Sequence, residues 1–423
     1  SIASDLILDG AFHALAQTNQ SIIARVFSGA AAAGVSTGAY GVGVSATGVG
    51  VRNLIDGDIR AGSETRKGLG LREAIIDAGS IDIAAKDTSK VKVTAGAAAL
   101  GFAFGGAGVG VSVSLGVAAA KNWIATTVLA ELAGAQVHSD GDVTVKATSD
   151  ARIKAQSMAA SASLGLSYAT VGIGVAGAGA FARNIILTDT LAYIDDVDMT
   201  AAGHVTVKAD STSKINAVIV AAALAIGGGP TAGVGASAGV ASARNYMGFD
   251  PERYDGPITY TRGVDYTNAV STGDVVSMGP DAGVLANLTY KYVGEEPLVA
   301  TRDSNDELIN PLMATDYTNP DLWQQLAMTA KNRIEALVVN SEIVVGAETA
   351  DALSDLSVSA VNDAAIKAIV ISGSAAITGG VGGVSISGAG AGVGNRIGTH
   401  TLASISDTTG SGIQVYGNID VVA

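Results

Sequence analysis

The chain has 423 residues, with 55 Gly, 48% hydrophobic residues but only 4% aromatics, and no Cys, so disulfide staples, zinc–thiolate sites and thiol nucleophiles are excluded together. Its 39 acidic against 25 basic residues give a formal charge of -14, which disfavours nucleic acid as a partner. Apolar mass that comes from Val, Ile, Leu and Ala suits strands and tight turns better than a globular α/β enzyme core.

Read from Ser1, the chain shows no basic segment leading into an apolar one, and the numbering is expected to start inside a longer protein. Five stretches then carry no charged residue: 26 to 51, 93 to 120, 155 to 182, 215 to 243 and 368 to 395. Each is bracketed by basic residues, namely Arg25 and Arg52, Lys92 and Lys121, Lys154 and Arg183, Lys214 and Arg244, and Lys367 and Arg396. An Asn stands at or beside every exit: Asn53, Asn122, Asn184, Asn245 and Asn395. Their spacings are 69, 62, 61 and 150, the last being one more period of about 61 plus an insertion of roughly 90. The polar halves repeat as well, with VTVKA at 143 to 147 and again at 205 to 209.

Inside the charge-free runs the pattern has period two. Val109, Val111, Val113, Leu115 and Val117 share one face, and Gly110, Ser112, Ser114 and Gly116 the other; Val171, Ile173 and Val175 repeat the device. These are strands, not helical membrane spans. Two Trp in the whole chain are too few for the aromatic girdles of a transmembrane barrel, so the chain is expected not to be membrane-spanning. A sheet with one bulky and one nearly flat face can approach another sheet below the usual ~10 Å. The recurring Asn has two readings, a hydrogen-bonded ladder at one corner of a coil, or a turn residue that tolerates φ > 0. The predicted fold is all-β, a β-solenoid or β-helix-like array over 1–245 and 331–423, with unpaired strand edges at its two ends.

Residues 246–330 differ. They hold six of the seven Pro, seven of the eleven Tyr, and 13 acidic against 4 basic residues. Strands are predicted in 272 to 279 and 288 to 296, joined by a turn around Pro280, Asp281 and Gly283. The motif DYTN occurs at 265 and 316. Asn319 and Pro320 predict the start of a short helix carrying Trp323 and Leu326, and the whole segment reads as an inserted α+β module.

Candidate chemistry is sparse. His138 and His204 fall near equivalent repeat positions, which reads as a surface feature. Asp140 with Asp142, or Asp195, Asp196 and Asp198, read either as weak calcium sites at acidic turns or as solvated turn charges; otherwise no cofactor or metal is expected. No nucleophile elbow, phosphate loop or H-E-x-x-H motif occurs, and the chain is expected not to be an enzyme. In the insertion, Asp265, Tyr266, Asp316, Tyr317 and Trp323 combine carboxylates with aromatic faces, a set suited either to sugar or peptide recognition or to the core of a small domain.

Charge-free Gly/Val runs ending in Lys/Arg-Asn, together with GDVTVKA at 141 and DYTNPDLW at 316, resemble the repeat arrays of giant bacterial secreted and surface proteins, the group that includes the leukotoxin of fusobacteria. The resemblance implies an extracellular or bacterial cell-surface location. The expected role is a fibre, sheath or surface-layer segment that self-associates or continues in a longer chain. The alternative is an adhesin or toxin stalk whose inserted module binds a glycan or cell-surface partner.

Overall fold

The computed structural model describes residues 5–63, 74–250, 254, 256–278, 288–302, 308–317, 319–326, 332–347 and 353–423. Among them the protein is nearly all β with parallel sheets, and the one helix is four residues long. The chain divides into two compact units, Ser1–Tyr246 with Asn332–Ala423, and Met247–Lys331.

The first unit holds an eleven-stranded and a seven-stranded sheet, and the chain alternates between them. Ser80–Gly105 lies in the seven-stranded sheet, Val109–Ser139 in the eleven-stranded sheet, Val143–Ser167 back in the first, and Val171–Ala201 in the second. Because each turn crosses between sheets, hydrogen-bonded neighbours are distant in sequence. Val143–Ser167 pairs in parallel with 81–105 on one side and 205–228 on the other, so VTVKA at 143 lies beside VTVKA at 205, residue for residue. In the other sheet, Lys121 lies beside Arg183 and Asn122 beside Asn184. The second unit enters after Ala232–Met247, and Asn332–Val339 then pairs with the same neighbouring strand at 190–195.

The inside of this unit is of two kinds. Where the strands carry charges outward, Ile81, Ile83, Val128, Leu132, Val145, Ile194 and Val207 form an aliphatic core. Each such buried side chain contributes about 1.5–3 kcal/mol. Along most of the charge-free runs the inward residues are instead Gly, Ala and Ser, with Val49, Val93, Ile215 and Ile219 the buried exceptions towards their charged ends, and the other bulky residues face out. A Cβ on Gly110 would lie 1.9 Å from the Leu166 carbonyl oxygen, and one on Gly172 2.1 Å from that of Gly228. The two sheets therefore touch backbone to backbone, far inside the ~10 Å of ordinary sheet packing. Ser hydroxyls bridge the gap: Ser163 Oγ donates to Ser112 O at 2.8 Å and Ser157 Oγ to Ala118 O at 3.0 Å.

The second unit contains a four-stranded sheet of Tyr260–Arg262, Val275–Met278, Thr289–Tyr292 and Trp323–Leu326. Of the strands expected in 272–279 and 288–296, Val275–Met278 and Thr289–Tyr292 form and pair antiparallel; residue 279 and the turn at Pro280, Asp281 and Gly283 lie outside the described residues. The helix expected after Asn319 does not form. Asn319 does open a turn, accepting from Asp321 N at 3.0 Å through its side chain and from Trp323 N at 2.9 Å through its carbonyl. Trp323 then pairs across to Tyr292 and buries its ring against Tyr317 at 4.5 Å, so the chain continues as a strand. Another Asn-Pro pair makes the helix, Pro311–Ala314, with Asn310 accepting from Leu312 N at 3.1 Å.

Candidate functional site

Asn53, Asn122, Asn184, Asn245 and Asn395 lie within strands of the eleven-stranded sheet, at neither a corner nor a turn, and none has positive φ. Their side chains are joined in series. Asn53 Nδ2 donates to Asn122 Oδ1 at 2.7 Å, Asn122 to Asn184 at 2.8 Å, Asn184 to Asn245 at 2.7 Å, and Asn245 to Asn395 at 2.8 Å. Asn122, Asn184 and Asn245 are fully buried. An amide is suited to this position because it offers a donor on one side and an acceptor on the other, matching the direction of a parallel stack.

Adjacent residues on a strand point to opposite faces. Arg52, Lys121, Arg183 and Arg244, each one residue before a ladder Asn, therefore line the outer surface, where with Phe181 and Ser242 they border a cleft of about 540 Å³. Arg52, Lys121 and Arg183 are in direct register. Like charges so placed repel one another, and the row suits an anionic ligand in an otherwise acidic protein.

Parity along Ser80–Gly105 also turns Asp87 inward, where it is buried and accepts from Ser89 Oγ at 2.8 Å and Thr126 Oγ1 at 3.2 Å. Burial pushes its carboxyl above the usual range, against the pull of those hydrogen bonds. The count of residues from Ile81 and Ile83 was the signal for it, since all share one face.

On the outer face, Tyr193 donates to the Glu335 carboxylate, and Arg333 holds Asp189 through two nitrogens at 3.1 and 2.7 Å. Burial and Glu335 push the Tyr193 hydroxyl well above its ordinary value, so it stays a donor and not a base. No sequence motif announced this cluster, because Arg333 follows the insertion and meets Asp189 only through strand pairing.

Among the described residues no group of His, Asp and Glu is placed to hold a metal ion. Asp142 Oδ1 accepts from His204 N at 2.8 Å, and Asp195 Oδ1 from Asn340 Nδ2 at 2.9 Å. His138 stands 3.5 Å from Asp140 at the surface. Asp196 sits at φ 60.

The five candidates in the insertion do not form one surface. Tyr317 and Trp323 are buried in the unit's core with Tyr290 and Tyr292, whereas Tyr266 is exposed. The Asp265 side chain accepts from Thr261 N, and its carbonyl from Asn310 Nδ2 at 2.9 Å. Asp316 shares the turn with Tyr317, its carbonyl accepting from Asn319 N at 3.2 Å.

No family model, curated protein or solved structure matches the chain. No helix among the described residues is long and apolar enough to cross a membrane.

Proposed function

We propose that the chain is a segment of an extracellular β-solenoid that builds a fibre, sheath or surface layer at the bacterial cell surface. In this reading each coil of about 61 residues supplies one strand to each sheet and stacks on the next. The observation that carries it is the register of repeat upon repeat, sealed by the buried asparagine ladder. Growth along the stacking axis needs only open strand edges. Among the described residues Ser21–Ser36 and Tyr40–Gly62 each pair on one side in their sheets, and all of Gly382–Ile397 is exposed. The reading assigns the chain a mechanical role and no catalysis.

Electron microscopy of the purified chain, with diffraction from aligned material, tests it. Filaments with a ~4.8 Å axial repeat are the expected result. Compact particles that never lengthen with concentration would sink the proposal.

A further inference from the structure

Two strands shift phase by one residue at Gly134 and Asp196, both at positive φ, but through the charge-free runs alternation is unbroken while the residue types on the two faces exchange. In Ser80–Gly105, Asp82, Lys86, Lys90 and Lys92 face out over Ile81 and Ile83. Beyond Val93 the inward positions become Ala95, Ala97, Ala99, Gly101 and Ala103, while Leu100, Phe102 and Phe104 turn to the surface. The facing strand does the same, with Val109 to Val117 outward. Leu100 is 58% exposed, Leu115 47% and Ile371 54%, so both outer faces of this half are apolar in successive strands. Continuous apolar surface of this extent marks an interaction site.

We propose that this half inserts into a lipid bilayer with anionic headgroups. Three features of the band select lipid. It is apolar on both faces, whereas a second copy of the chain laid against one face leaves the other in water. Its height between the cation rows and the turns, residues 93–105 on one sheet and 109–120 on the other, is about 40–43 Å at ~3.3 Å per residue, against ~40–45 Å for a bilayer with its headgroup regions. Its borders suit a membrane-embedded surface: Arg52, Lys121 and Arg183 on one sheet and Lys92 and Lys154 on the other mark one edge, and at the far edge exposed Tyr40 opens one strand and exposed Tyr168 lies in the turn of another coil. Two copies placed face to face in the same direction would instead bring like cation rows together.

The band contains no charged residue, and its backbone groups pair strand to strand, as hydrocarbon requires. The outermost strands need further coils beside them, so the inference rests on the stacking reading above. The chain is expected from its sequence not to span a membrane, and no described helix is long and apolar enough to do so; the inference concerns strands alone. That expectation weighed helices and closed barrels, and a two-sheet wedge is neither.

The absence of cysteine permits a direct test. Full-length Val113→Cys and, as control, Asp82→Cys are each labelled with an environment-sensitive fluorophore. Both are mixed with vesicles of phosphatidylglycerol and phosphatidylcholine in equal parts. The Val113 label is expected to shift to the blue and be quenched by brominated acyl chains, and the Asp82 label to do neither. Leu115→Lys with Leu164→Lys is expected to lower vesicle partitioning roughly thirtyfold or more, with Leu115→Ile unchanged and circular dichroism showing the strands retained. A Val113 label that shifts equally without vesicles, as particles enlarge, would assign the faces to a second copy; no shift under either condition would also overturn the proposal. Particle length in lipid-free samples reads the stacking separately, so its failure is distinguishable.

Discussion

Asn184 accepts from Asn122 and donates to Asn245, whereas among the described residues Asn53 only donates in the ladder. Truncating the two should therefore not cost the same. Asn184→Ala leaves a buried donor and a buried acceptor unmatched, each worth about 1–3 kcal/mol, while Asn53→Ala orphans one acceptor. Chemical denaturation of the two variants should place Asn184→Ala about 2 kcal/mol or more below wild type and Asn53→Ala between them. Asp87 has the opposite character. Its carboxyl titrates above its unfolded value, so the folded state holds its proton longer and stability falls as pH rises from the unfolded value through the raised folded one. Asp87→Asn should remove that dependence and melt higher than wild type at neutral pH. Equal thermal midpoints across the window would show that the buried carboxyl is compensated.

At the scale of the strand, close approach of two sheets is the constraint. At Gly172 an added methyl group would meet two backbone oxygens, of Gly228 at 2.1 Å and Gly165 at 2.4 Å, and neither can yield as a side chain can. At Gly50 it would meet nothing within 4 Å. Gly172→Ala should force the sheets apart and lower the midpoint of unfolding by an overpacking cost of about 1–3 kcal/mol or more. Gly50→Ala should be neutral to slightly stabilising, because alanine restricts the unfolded chain. Comparable midpoints for the two would mean that the sheets separate at no cost. Strand identity itself was legible from period-two runs such as Val109 to Val117. The Trp323–Leu326 strand was not, since Asn319-Pro320 supplies a helix-start signal and only the pairing with Tyr292 overrides it.

For the molecule as a whole, Met247–Lys331 is a compact unit with its own aromatic core, set into one strand of the larger unit. Removing residues 247–331 should leave strand content and filament formation intact, as judged by circular dichroism and electron microscopy. If filaments vanish while strands persist, the inserted unit takes part in assembly and the stacking proposal needs revision. If filaments persist but binding to cells or glycans is lost, an adhesin role attaches to the insertion. Trp323→Ala should unfold that unit alone, at a cost of about 3–5 kcal/mol to its own stability.

What the sequence by itself determined about this protein is periodic. Runs without charge, an Asn every 61 to 69 residues up to Asn245 and recurring VTVKA elements imply all-β structure and mark residues 246–330 as foreign to the array. Alternation also separates the bulky face of a strand from the flat one, because side-chain direction follows from backbone geometry alone. Which face lies inside is a different matter, decided only by the tertiary structure. Towards the far turns of the charge-free half, Gly, Ala and Ser occupy the interior because backbone contact between the sheets excludes anything larger, as the oxygens around Gly110 and Gly172 show. The ladder likewise needed the fold: five amides of compatible chemistry form a buried series only when crossing turns bring each repeat into register with the next. The chain carries the period, but the pairing partner of each strand lies some sixty residues away, and that distance is closed only in three dimensions.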